Sequence, residues 1–83
     1  MNDQEILAGF SEIVEESVGV PANEVTPGKS FFGDLDIDSL SMVEIAVAAQ
    51  DKFGVEIPDG ELKDLATVQD VVTYVAKNSR GSA

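Results

Sequence analysis

The chain has 83 residues, room for one domain and not two. Sixteen acidic residues against five basic ones leave a net charge of −11, which repels nucleic-acid phosphates and anionic lipid and favours partners with basic patches. Cysteine and histidine are both absent, so disulfides, thiolate nucleophiles, cysteine zinc sites and the usual general base are excluded.

The spacing of Ile6, Leu7, Phe10, Ile13, Val14 and Val18 predicts a first helix over residues 3–18. Asn2 is its N-cap, with Glu5 three residues on, and Gly19 and Pro21 stop it. Residues 20–37 form a long connection broken by Pro21, Pro27, Gly28 and Gly33. Its apolar residues Val20, Val25, Phe31, Phe32, Leu35 and Ile37 are expected to pack down over a core. A second helix is expected over residues 39–53, capped by Asp38 and ended by Gly54. A short third helix is expected over residues 60–65, opened by Pro58 and Asp59. A fourth starts after Thr67, with Asp70 completing a looser capping box and Val68, Val71, Val72 and Val75 as its apolar face. The tail over residues 78–83 is expected to fray. The reading is all-α: a four-helix bundle of three main helices and one short one, with a long first loop, forming one domain over residues 1–83.

The second helix has two apolar stripes. Met42, Ile45, Ala46, Ala49 and Phe53 make one, and Leu40, Val43 and Val47 make another, displaced around the axis with Glu44 and Asp51 beside it. A surface helix needs only one stripe to dock on its core. Either this helix is buried nearly all round, or the second stripe receives partners. The acidic flanks favour the second reading.

Residues 33–45 read GDLDIDSLSMVEI, with Asp38-Ser39-Leu40 preceded by Asp34-Leu35 and followed by Val43-Glu44. This segment resembles the phosphopantetheine attachment site of acyl carrier proteins. The resemblance extends to FGVEIPD after the second helix, to TVQDVV at the start of the fourth and to the glutamate-rich first helix. It covers residues 3–77, and it points to the free-standing bacterial fatty-acid type. It implies that a transferase moves 4′-phosphopantetheine from coenzyme A onto Ser39, flanked by Asp38 and Leu40, and that the arm's thiol then carries acyl chains as thioesters. With Ser39 as the attachment point, the second stripe and its carboxylates, Asp34, Asp36, Leu40, Val43, Glu44, Val47 and Asp51, are the expected docking face for the transferase and fatty-acid synthesis enzymes with basic patches. The family shields its acyl chain between helices, and Phe31, Met42, Ala46, Ala49, Leu62 and Leu65 are the expected lining. The alternatives are a polyketide or amino-acid carrier domain, or a non-carrier helical adaptor.

Asp34, Asp36 and Asp38 have the opening spacing of a calcium loop, but Ser39 and Ile45 stand where a glycine and a bidentate glutamate are needed, so no metal site is expected. No catalysis is expected either, because Ser39 has no histidine partner and Lys52 is too far along the helix. The N-terminus shows no signal peptide and no apolar run is long enough to span a membrane, which together suggest a cytoplasmic chain, and a monomer is expected.

Overall fold

The structure, a computed structural model, describes residues 2–78. In chain order come α1 (Asp3–Val18), a 3-10 turn (Ala22–Glu24), α2 (Ser39–Phe53), α3 (Asp59–Leu62) and α4 (Val68–Asn78). The expected all-α bundle is what forms, and α1, α2 and the start of α4 have the expected boundaries.

Capping explains those boundaries. Asn2 Oδ1 accepts the Glu5 N–H at 2.8 Å and opens α1. Gly19 adopts φ 79° and closes it, its N–H donating to Glu15 O at 2.9 Å. At α4 the box is reciprocal: Thr67 Oγ1 accepts the Asp70 N–H at 3.2 Å, and Asp70 Oδ2 accepts the Thr67 N–H at 3.1 Å. The long connection supplies two further acceptors, with the Val68 N–H donating to Lys29 O at 3.0 Å and the Gln69 N–H to Pro27 O at 2.9 Å. These bonds satisfy the donors that a helix start leaves orphaned. An isolated antiparallel bridge between Ser30 and Thr67 continues the same seam.

The core gathers one face of each long helix. Ile6, Phe10, Ile13 and Val14 of α1 meet Met42, Ile45, Ala46, Ala49 and Phe53 of α2, and α4 adds its four valines. Gly9 lets α1 and α2 approach closely, since a Cβ there would lie 2.9 Å from Lys52 Cε and 3.0 Å from the Phe53 ring. The connection packs down through Val25, Phe31, Leu35 and Ile37, all buried, and Val20 is half-buried. The Phe31 ring meets the Phe10 ring edge-on, with centroids 5.7 Å apart.

Three expectations need correction. Phe32 is not core: it is 54% exposed. The Phe31 N–H donates to Ala66 O and Phe31 O accepts the Ile37 N–H, so Phe31 is pinned inward and its neighbour in the turn faces out. The third helix covers Asp59–Leu62 and not residues 60–65. Ala66 O must reach the Phe31 N–H at 3.1 Å, so the chain leaves the helix early and passes residues 63–64 as a turn. Asn78 is the last residue of α4, its Nδ2 donating to Tyr74 O at 2.8 Å. The rest of the expected frayed tail, residues 79–83, lies outside the described residues. No helix among the described residues is long and apolar enough to cross a membrane.

Candidate functional site

Residues 30–38 form a locked approach to α2. Ser30 Oγ accepts the N–H groups of Gly33 and Asp34, at 3.2 and 3.0 Å. Asp34 Oδ2 accepts the Ser30 N–H at 2.9 Å. Buried Leu35 and Ile37 anchor the segment to the core, and Asp36 between them is held at φ 56°. A left-handed backbone is uncommon for a residue with a Cβ, and aspartate tolerates it better than most. The turn it makes delivers Asp38 to the N-cap of α2.

Asp38 Oδ1 accepts the Ser41 N–H at 2.8 Å. That backbone bond, with the Ser41 hydroxyl second, holds the Asp38 carboxyl below the usual carboxylate range. The first backbone bond of the helix runs from the Met42 N–H to Asp38 O. The N–H groups of Ser39 and Leu40 therefore have no protein acceptor among the described residues. Ser39 itself is exposed, in the first helical turn. A hydroxyl thus stands at the positive end of a 15-residue helix, beside two free N–H donors.

Next to Ser39 lies a depression of about 390 Å³, lined by Phe32, Ser39, Met42, Val43, Leu62 and Lys63. Of the six residues read as an acyl pocket, Met42 and Leu62 line it. Phe31, Ala46, Ala49 and Leu65 sit in the packed core instead. Two lining residues escaped the sequence reading. Phe32 reads as core from its sequence, but of the two adjacent aromatics only Phe31 faces inward. Lys63 is the only basic residue between Lys52 and Lys77, which was a signal available in the sequence.

The second stripe of α2 is a surface. Leu40 is 79% exposed, Val47 57% and Val43 44%, while every member of the first stripe is buried. A helix buried all round is thereby excluded. Asp34, Asp36, Glu44 and Asp51 are exposed as well, so the seven residues read as a docking face are all accessible to a partner.

A family model described as the phosphopantetheine attachment site matches residues 8–75. The chain belongs to that family. The acyl carrier protein of Thermobifida fusca is 72% identical over 76 residues, which cover 92% of this chain and 96% of that one. The meromycolate extension acyl carrier protein of Mycolicibacterium aurum is 62% identical, over 92% of this chain and 78% of that one. The solved structure of the acyl carrier protein from Enterococcus faecalis superposes with a TM-score of 0.78 at 32% identity, covering 95% of this chain and all of that one. The chain is an acyl carrier, and phosphopantetheine is its prosthetic group.

The residues present fit that group. The arm joins its carrier through a phosphodiester, and the first turn of α2 offers an exposed hydroxyl with free N–H donors around it. The depression beside it offers mostly apolar walls to an arm that is part apolar. When bound, the arm supplies a thiol that holds an acyl chain as a thioester, a chemistry that the cysteine-free chain lacks in itself.

Proposed function

We propose that Ser39 is the attachment point, and that this domain shuttles acyl chains among fatty-acid synthesis enzymes without catalysis of its own. The single observation that carries the assignment is the exposure of the Ser39 hydroxyl at the capped start of α2. Ser41, the nearest other serine, is half-buried and its N–H is spent on the cap. In the loading step Ser39 Oγ forms a bond to the pantetheine-bearing phosphorus of coenzyme A as the bridging P–O bond of the pyrophosphate breaks. The hydroxyl proton goes to the transferase, and adenosine 3′,5′-bisphosphate leaves.

The chain's own residues prepare that step. Asp38 fixes the helix start, the locked turn at residues 30–37 keeps it in place, and the free N–H groups offer donors to the phosphodiester once formed. Leu40, Val43 and Val47, rimmed by Glu44 and Asp51, provide the landing face for an enzyme that must reach the arm. The carboxylates act on encounter with basic patches and the apolar residues on residence time. We read the carrier as a cytoplasmic monomer, since a net charge of −11 opposes self-association. The test is mass spectrometry after incubation with a phosphopantetheinyl transferase and coenzyme A. One arm should be gained on wild type and none on Ser39→Ala, whose circular dichroism should be native. A full gain by Ser39→Ala would move the site elsewhere.

A further inference from the structure

Ser39 stands in a field made mostly of carboxylates. The chain carries a net charge of −11, Asp38 precedes the serine, and Asp34 and Asp36 are exposed on the segment that leads to it. A phosphodiester placed on Ser39 is an anion added to that field. One cation counters it locally. Lys63, exposed just past the end of α3, is the only basic residue among the six that line the depression beside Ser39. Apart from Ser39 itself the remaining walls are apolar, and Phe32 is 54% exposed.

We propose that Lys63 and Phe32 hold the phosphopantetheine arm against the domain, Lys63 by pairing with the phosphodiester and Phe32 by covering the arm's gem-dimethyl carbons. The inference rests on attachment at Ser39 as proposed above, and adds what happens to the arm afterwards. The volume of about 390 Å³ lies at the small end of ligand sites, which span roughly 300–1,000 Å³. It suits a slender arm. The Ser39 end of the arm finds two kinds of chemistry in one place, a cation for the phosphate and an aromatic wall for the branched carbons next to it. Lys63 is a positioning residue here, since the bond to Ser39 forms without it.

The experiment compares apo and holo forms of the 15N-labelled protein by amide chemical shifts and by the 31P signal of the arm. Wild type, Lys63→Arg, Lys63→Gln, Lys63→Glu and Phe32→Ala are each loaded, with loading at Ser39 confirmed by mass spectrometry. Lys77→Gln changes the net charge equally at the far end of α4 and serves as the control. In wild type and Lys63→Arg the holo-minus-apo shifts extend to residues 32, 62 and 63. An exposed ion pair moves an equilibrium by up to about fivefold, so Lys63→Gln should lower the docked-to-free ratio by about two- to fivefold and Lys63→Glu should remove docking. Salt at roughly 0.5 M should bring wild type toward Lys63→Gln, while Lys77→Gln should match wild type. Phe32→Ala should lower the shifts at residue 62 while leaving the 31P signal less altered than in Lys63→Glu. Shifts confined to residues 38–41 in wild type, or unchanged in both Lys63→Gln and Lys63→Glu, would overturn the inference and leave attachment at Ser39 standing. Failure of wild type to load at Ser39 would overturn both.

Discussion

Truncating the exposed stripe of α2 one residue at a time has consequences that the structure ranks. Leu40→Ala removes three carbons from a side chain that is 79% exposed. At about 0.8 kcal/mol per buried carbon, full coverage by a partner makes that loss about 2 kcal/mol, or roughly 25-fold in affinity. Val47→Ala removes two carbons from a residue 57% exposed, which comes to about 0.9 kcal/mol, or roughly fivefold. Val43→Ala, at 44% exposed, comes to about 0.7 kcal/mol, or roughly threefold. Surface plasmon resonance of the apo proteins on an immobilised phosphopantetheinyl transferase would read these differences chiefly as faster dissociation. Melting temperatures should stay near wild type, because none of the three side chains belongs to the core. An order with Val43 dominant, or losses that track a drop in helicity, would refute the assignment of this stripe as a docking face.

Two further outcomes are expected. The Asp38 carboxyl is held below the usual carboxylate range, so its contribution to stability is present above the unfolded-state pKa and is lost as pH falls through the folded-state value. Asp38→Asn keeps a capping side chain without the charge. The excess stability of wild type over this variant should therefore hold at neutral pH and disappear on acid titration to about pH 2, read by thermal melts. A difference that is constant across the titration would refute the charge-assisted cap. At Asp36, held at φ 56°, Asp36→Ala should cost about 1 kcal/mol and lower the melting temperature by roughly 4–8 °C, while Asp36→Gly should not. Equal melting of the alanine and glycine variants in calorimetry would remove the strain argument.

Much of the fold was legible because the caps and the stripes agree. Asn2, Asp38 and Thr67 each sit before an apolar period of helical spacing, and Gly19 and Gly54 close two of those helices in the left-handed conformation. The exposed stripe of α2 was legible as a second apolar row that the first row left without a core to face. What sequence could not supply were features decided across long separations. The early end of α3 follows from a bond between Ala66 and Phe31, 35 positions apart. The exposure of Phe32 follows from the same bond, and no local preference distinguishes it from Phe31. The positive φ of Asp36 serves the route from Leu35 to Ile37, both anchored, and aspartate gives no sign of it. Lys63 reaches the Ser39 depression only because α3 stops where it does.

The seam between the long connection and α4 carries a consequence for how the domain opens. The amides of Val68 and Gln69 have their acceptors on Lys29 and Pro27, roughly forty positions earlier in the chain. Detaching the connection strands those donors, and fraying the start of α4 strands the matching carbonyls. The two segments therefore open and close as one cooperative unit. The connection ends at the Asp38 cap, so the same unit underpins the first turn of α2. Solvent exchange at positions 68 and 69 thus reports on the footing of a serine that neither residue touches.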